Sequence, residues 1–204
     1  MEKGIALLSG GIDSPVAIHL LQDRMDIVAI HFHQLPLTDQ KEVDKVKTLA
    51  KHLHVPKLYL VPFTPVLKEI VDRCPHRHYF VLSKILMFRA AELVAQRENA
   101  HFLISGENLA QVSSQTLSNL ASITQNVSME IFRPLLTYNK QEIIDLAKKI
   151  GTYEISKGPE ICNLLGPVNP ATRTKTEVIA EDLTQLDIKK LLEECLKNTE
   201  TLNF

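Results

Sequence analysis

The chain has 204 residues, 45% of them hydrophobic, and a formal net charge of −1. This length fits one domain of ordinary size with a buried core. No stretch approaches the roughly 20 apolar residues that span a bilayer, and no signal peptide is recognised, so we expect no membrane association. The balanced charge does not indicate nucleic-acid binding, so contact with RNA would need a local basic patch or another polypeptide. Three widely spaced cysteines form no disulfide framework and favour the cytoplasm.

Short apolar segments alternate with amphipathic segments along the chain, which is typical of a parallel sheet with helices on both faces. Strands are predicted over residues 3–9, 26–33, 57–63, 101–106 and 130–135. Helices are predicted over residues 14–24, 39–53, 78–98, 109–123 and 140–150, and Gly151 closes the last of them. A long loop is predicted over residues 152–174 and a helical region over residues 175–197. We expect an α/β, Rossmann-like parallel sheet of about five strands, with a sheet domain over 1–174 and a C-terminal helical extension over 175–204.

The segment SGGIDS, residues 9–14, follows the first predicted strand and precedes the first predicted helix. Ligands of parallel sheets bind at the carboxyl ends of strands. Gly10 and Gly11 allow a tight turn, and backbone N–H groups there and at the helix start form a nest for phosphate. Asp13 could hold Mg²⁺ beside a polyphosphate, or could simply cap the helix. No GK[ST] follows, so the turn is not a Walker A loop; the pattern favours nucleotide binding over a plain connecting turn.

In this setting SGGIDS resembles the turn of the pyrophosphatase-loop (PP-loop) ATPases, also called adenine nucleotide alpha-hydrolases. Members of that family cleave ATP between its α and β phosphates, adenylate a carbonyl oxygen, and let a nucleophile displace AMP. A more specific series follows it: SGENLAQVSSQT, then FRPLLTYNK, then IGT, then PEIC. This series is similar to the tRNA 4-thiouridine synthetases (tRNA uracil 4-sulfurtransferases), with likeness from residue 3 to residue 181. The resemblance makes residues 1–174 a PP-loop ATP-pyrophosphatase domain that uses ATP and Mg²⁺ and acts on tRNA.

Three departures from the family pattern stand out. Ala110 replaces a usual glycine, and Asn139 replaces the usual aspartate before Lys140. Archaeal members often carry two cysteines that hold an iron–sulfur cluster where this chain has Phe80 and Ser83. We therefore expect no cluster of that kind here.

The resemblance assigns a nucleotide site and a catalytic set. In the nucleotide site, His31 and Phe32 flank the adenine and Arg89 meets a phosphate. The expected nucleotide-binding residues are Leu7, Leu8, Ser9, Gly10, Gly11, Ile12, Asp13, Ser14, His31, Phe32, Arg89, Gly106 and Gln115. The expected catalytic residues are Asp13, Lys140 and Cys162.

Lys140 is predicted to begin a helix, where a positive charge opposes the helix dipole and so invites a functional explanation. It could stabilise the leaving pyrophosphate or the adenylated uracil, and a solvated lysine is the alternative. In the resembling bacterial enzymes the cysteine equivalent to Cys162 closes a disulfide with a persulfide-bearing cysteine of a rhodanese domain, which this chain is expected to lack. Cys74 could be the partner of Cys162 or incidental, and Cys195 is expected to pack in the interior.

The segments CPHRHY and HFH raise the question of a zinc site. Their spacing matches no common zinc pattern, so we expect no protein-bound metal apart from Mg²⁺. Residues with basic or imidazole side chains around CPHRHY could instead touch RNA phosphates: Arg73, His76, Arg77 and His78.

The resembling full-length enzymes carry a ferredoxin-like piece and a THUMP domain that bind tRNA, and the chain is expected to lack both. The leading hypothesis is the catalytic half of a split system, in which a separate THUMP-type protein delivers tRNA. Sulfur would arrive as a persulfide from a donor such as a cysteine desulfurase, or as sulfide, and a homodimer is left open. Two alternatives stay open: a PP-loop enzyme that adenylates another acceptor, and a non-catalytic module that binds ATP or AMP.

Overall fold

The computed structural model describes residues 1–158 and 164–204. In this part of the chain, six strands form one sheet in the order β5-β4-β1-β2-β3-β6. Five strands pair in parallel, and the sixth pairs antiparallel with β3 at the edge. The strands are β1 (Lys3–Leu7), β2 (Asp26–His33), β3 (Lys57–Pro62), β4 (Phe102–Ile104), β5 (Ile131–Phe132) and β6 (Glu200–Asn203).

Helices connect the parallel strands and cover both faces of the sheet. In chain order they are α1 (Asp13–Leu21), α2 (Gln40–His52), α3 (Thr64–Arg73), α4 (Tyr79–Glu98), α5 (Leu117–Gln125), α6 (Lys140–Lys149), α7 (Tyr153–Ser156), α8 (Thr176–Leu183) and α9 (Ile188–Lys197). Single 3₁₀ turns lie at His76–His78 and Ser113–Gln115. None of the described helices is both long enough and apolar enough to cross a membrane.

Two hydrophobic cores lie on the two faces of the sheet. One contains Ile5 of β1 together with buried residues of α3, α4, α5, α8 and α9. The other contains Ala6 of β1 together with buried residues of α1, α2 and α6. Neighbouring residues of one strand face opposite cores because side chains alternate along a strand. The predicted α/β parallel sheet with helices on both faces is thus confirmed.

The structure differs from the predicted elements at four places, and one of them is the short helix α7 (Tyr153–Ser156), which lies within the loop predicted over 152–174. Helix α3 and strand β6 were not predicted, and β6 lies within the segment expected to be a helical extension. The helix predicted over 109–123 begins only at Leu117, because the Thr116 side chain accepts a hydrogen bond from the Asn119 N–H and caps it. Helices α8 and α9 form as predicted and share a core with α4. A domain division at residue 174 stays a prediction.

Candidate nucleotide site

A cavity of about 720 Å³ opens at the carboxyl ends of β1, β2 and β4. Parallel strands that end at one edge bring their following loops together, so residues far apart in sequence share its wall. Most of the predicted site residues line it: Leu7, Leu8, Ser9, Gly10, Gly11, Asp13, Ser14, His31, Phe32, Gly106, Gln115 and Lys140. Ile12 and Arg89 do not, and Cys162 lies outside the described residues. Ligand binding by each of these residues stays a prediction.

The SGGIDS turn, residues Ser9 to Ser14, is closed by its two serines. The Ser14 Oγ accepts a hydrogen bond from the Ser9 N–H at 2.9 Å and lies 3.1 Å from the Ser9 Oγ. The Ser9 Oγ in turn accepts from the Gly11 N–H at 3.2 Å. Helix α1 begins directly after Ile12, which provides no side-chain cap, and no other described side chain bonds to the first N–H groups of this helix. Neither Asp13 nor Ser14 acts as a cap, so the N–H groups of Ile12, Asp13 and Ser14 stay available to an anion, whereas Pro15 has no N–H.

Gly106 brings the loop after β4 into contact with the backbone of α1. A Cβ atom at this position would lie 2.7 Å from the Ser14 N and 2.9 Å from the Asp13 carbonyl carbon. No side chain fits between the two backbones, so glycine sets the distance between the loop and the turn. The glycine is therefore needed for close packing of backbones and not for an unusual φ, since its φ is not in the left-handed region.

Lys140 and Asp13 form an ion pair at the wall of the cavity. The Lys140 Nζ lies 2.9 Å from the Asp13 Oδ1, and it also donates to the Gln111 Oε1 at 3.5 Å. Lys140 is the first residue of α6, as predicted, and the carboxylate of Asp13 offsets its unfavourable position in the helix dipole. Asn139 caps this helix by accepting from the Glu142 N–H at 3.0 Å. Replacement of the usual aspartate by Asn139 thus keeps the cap, because the two residues cap helices equally well.

His31 is held in one tautomer. Its Nδ1 lies 2.9 Å from the carbonyl oxygen of Leu8, and a carbonyl only accepts, so Nδ1 carries the proton. Burial lowers the pKa of His31 to about 4, and the ring is neutral at physiological pH. Its Nε2 is then an acceptor. The adjacent Phe32 packs edge-on against Phe63, with ring centroids 4.8 Å apart.

Arg89 does not line the cavity, whereas Lys84 does. The Arg89 Nε donates to the backbone oxygen of Asn126 at 2.9 Å, so the structure gives no support to its predicted contact with a phosphate. Lys84 shares one face of α4 with Phe80, Ser83 and Met87. In the described part of the chain it has no hydrogen bond or ion pair. The spacing of 80, 83, 84 and 87 is that of one helix face and was a signal that sequence reasoning missed.

Glu107 and Arg133 form a buried pair that was not predicted. Glu107 lines the cavity and is 1% exposed, and its Oε2 accepts from the Arg133 Nε at 2.8 Å. The two residues belong to the SGE and RPL segments, so this bond joins the loop after β4 to the end of β5. Ionic groups are buried only when they are paired, and this pair fixes the loop that carries Gly106.

Two glutamines of the same loop carry buried polar atoms without partners. The Gln115 Oε1 and the Gln111 Nε2 make no hydrogen bond with any described residue, and both side chains line the cavity. Such atoms cost free energy unless something satisfies them. A polar ligand in the cavity would do so.

Two of the three cysteines are described. Cys74 is 8% exposed, and its Sγ donates to the backbone oxygen of Asp182. Burial raises the pKa of this thiol to about 11. This thiol is therefore poorly suited to carry sulfur, because the thiolate is the reactive form. Cys195 packs in the core as expected, and burial raises its pKa to about 11 as well.

Two side chains of the basic segment around CPHRHY, those of His76 and His78, are already hydrogen-bonded within the protein. The His76 Nε2 donates to the Leu165 oxygen at 2.7 Å, and the His78 Nδ1 lies 2.6 Å from the Asp182 Oδ2. The contact of this segment with RNA stays a prediction. Among the described residues, no group of three or more His, Cys, Asp or Glu side chains is arranged to hold a metal ion.

Comparisons with known proteins show which chains this one is similar to. The model of the family described as "Thiamine biosynthesis protein (ThiI)" matches residues 1–188. A "Probable tRNA sulfurtransferase" of Thermus thermophilus is 42% identical over 207 residues, which is 98% of this chain and 51% of that protein. A protein of the same description from Moorella thermoacetica is 39% identical, with 98% and 53% covered. The chain thus spans about half the length of these relatives.

A solved structure is similar over nearly the whole chain. It is a crystal structure of a 4-thiouridine synthetase–RNA complex with bound ATP. Its sequence is 36% identical and the TM-score is 0.94, over 98% of this chain and 55% of that one.

Proposed function

We propose, because the chain belongs to the ThiI family, that it is the ATP-dependent catalytic part of a tRNA sulfurtransferase. It would adenylate the C4 oxygen of a uracil in tRNA, release pyrophosphate, and replace that oxygen with sulfur to give 4-thiouridine. One observation carries this proposal. The Asp13–Lys140 ion pair lies beside the uncapped SGGIDS turn, in a cavity at the carboxyl ends of the strands. The similar solved structure contains ATP and RNA.

The cavity has the chemistry that a nucleoside triphosphate needs. The start of α1 offers N–H groups that no described side chain caps, and Lys84 and Lys140 offer positive charge to the phosphates. His31, neutral and with Nε2 as an acceptor, is suited to an amino group of the base. Asp13 is the carboxylate that would hold Mg²⁺, which would neutralise charge on the leaving pyrophosphate.

The reaction would run in two displacements. The uracil O4 attacks the α-phosphorus, a bond forms between them, and the bond to the β-phosphate oxygen breaks. Lys140 is placed to neutralise the charge that grows on the pyrophosphate. Sulfur then attacks C4 and AMP departs with the former O4. When the sulfur comes as a persulfide, the S–S bond between the carrier cysteine and the transferred sulfur must break. The Cys162 thiolate would break it by attacking the carrier sulfur and forming a disulfide with the carrier.

The charge of the chain bears on its partners. A net charge of −1 is unfavourable for binding tRNA phosphates unaided. We propose that a separate THUMP-type protein delivers tRNA, and that a cysteine desulfurase or free sulfide supplies sulfur in the cytoplasm. A homodimer would be a second way to enlarge the RNA surface.

The proposal is tested in cells, where any partner is present. Nucleosides of tRNA are analysed by mass spectrometry from a strain that lacks the gene and from the same strain carrying wild type, Lys140→Met or Lys149→Met. Lys149 is the matched control, since it is an exposed lysine at the other end of α6. We expect 4-thiouridine to return with wild type and Lys149→Met and to stay absent with Lys140→Met. Undiminished 4-thiouridine in the strain without the gene would contradict the proposal.

A further inference from the structure

Helix α7 touches the SGGIDS turn from outside the cavity. The Ser156 Oγ donates a hydrogen bond to the Gly11 carbonyl oxygen at 3.2 Å, across 145 positions of the chain. Ser156 is 2% exposed and does not line the cavity. Its hydroxyl is therefore committed to the turn and is not available to a ligand.

This bond fixes the orientation of one peptide group. The Gly11 carbonyl and the Ile12 N–H belong to the same planar trans peptide, so they point in opposite directions. A carbonyl held toward α7 turns the Ile12 N–H away from α7, at the position that starts α1. Gly11 resists such rotation less than any other residue type, because glycine has the widest range of backbone angles. An external hydrogen bond is what such a turn needs to be rigid.

Lys45 of α2 supports the same contact from a second direction. Its Nζ donates to the backbone oxygen of Ser156 at 3.5 Å. The aliphatic part of the Lys45 side chain packs against the SGGIDS turn, since a Cβ atom on Gly10 would lie 3.1 Å from the Lys45 Cδ. Lys45 also does not line the cavity. Ser156 is thus held on one side by a lysine and holds the turn on the other.

We infer that Ser156, supported by Lys45, is a positioning residue for phosphate binding that acts through the Gly11–Ile12 peptide. The inference rests on the proposed function, because it assumes that the turn binds the phosphates of ATP. It goes beyond that function by placing part of the affinity for phosphate in α7, outside the cavity wall. Preorganised N–H donors bind an anion more tightly than donors that must first be ordered.

The test compares two ligands that differ only in their phosphates. Binding of ATP with Mg²⁺ and of adenosine to the full chain is measured by titration calorimetry for wild type, Ser156→Ala, Lys45→Met and Thr152→Val. Thr152→Val is the control, since it removes a buried hydroxyl of the same segment that donates to Ala147 and not to the turn. We expect Ser156→Ala to weaken ATP binding about tenfold, the effect of one hydrogen bond, and to leave adenosine binding unchanged. Lys45→Met should weaken ATP by a smaller factor and Thr152→Val should change neither ligand.

Each contrary result has its own meaning. Equal loss of ATP and adenosine binding in Ser156→Ala would show general loosening and overturn the inference. Wild-type ATP affinity in both Ser156→Ala and Lys45→Met would overturn it as well. If the wild-type chain binds adenosine as tightly as ATP, or binds neither ligand, the proposed phosphate site itself is overturned. Lys45 is half-buried, so Lys45→Met also provides a second variant should Ser156→Ala not fold.

Discussion

Replacement of Gly106 by alanine tests how tightly the loop after β4 is packed on the SGGIDS turn. The added Cβ would lie 2.7 Å from the Ser14 N, whereas ordinary contact begins near 3.4 Å. The two backbones must therefore separate by about 0.7 Å, since both partners are main chain and neither can rotate away. Overpacking of this kind costs about 1–3 kcal/mol of stability. A displacement near 1 Å at a site of reaction costs about 100-fold in rate.

Gly4→Ala is the matched control for this prediction. Its Cβ would lie 2.6 Å from the Phe102 ring, in the sheet and away from the cavity. Thermal melting and pyrophosphate release should separate the two variants. We expect both to lose stability, and only Gly106→Ala to lose most of its ATP affinity and about 100-fold in pyrophosphate release. Gly106→Ala with wild-type ATP affinity would refute the reasoning.

Three further predictions use other parts of the chain. Cys162→Ala should keep pyrophosphate release and lose thiolation, whereas Cys74→Ala should keep both; thiolation that survives in Cys162→Ala would remove this cysteine from the reaction. The pKa of His31 is about 4 in the folded chain and about 6.5 in the unfolded chain, so the unfolded chain binds more protons between these two pH values. The free energy of unfolding should therefore fall by up to about 3 kcal/mol as the pH drops from 6.5 to 4. Denaturant unfolding of His31→Gln should show a flatter dependence, and an equal slope in both proteins would contradict the assignment. Ala110 has a φ of 64°, in the left-handed region that glycine adopts without strain. Ala110→Gly should therefore raise the free energy of unfolding by roughly 0.5–1 kcal/mol in a denaturant titration. A lower free energy of unfolding would show that the backbone at Ala110 is not strained.

The sequence predicted the sheet and the turn because both depend on local signals. The apolar runs of β1 to β4 are bounded by turn residues, and SGGIDS has the composition of an anion-binding turn. Strand β6 lacks such a signal, since Glu200–Asn203 is short and polar and becomes a strand only by pairing with β3. Helix α3 was not predicted; Pro65 lies in its first turn, where proline is tolerated although it breaks a helix interior.

The sequence predicted most of the residues that line the cavity, but it did not predict that Ile12 and Arg89 lie outside the lining or that Lys84 belongs to it. The assignment of Arg89 followed a family pattern, whereas the direction of each side chain depends on the rotation of α4 about its axis. The Glu107–Arg133 and Ser156–Gly11 contacts join segments that are far apart in sequence, and no local pattern predicts them. The residue types of one short segment thus predicted the turn, whereas the residues around the turn depend on the packing of segments that are distant in sequence.

The central claim is that the SGGIDS turn binds the triphosphate of ATP. A crystal structure of the chain with a non-hydrolysable ATP analogue tests it most directly. The account predicts phosphate oxygens against the N–H groups between Gly10 and Ser14, with the base near His31 and Phe32. Phosphates bound anywhere else, with this turn in contact only with water, would contradict it.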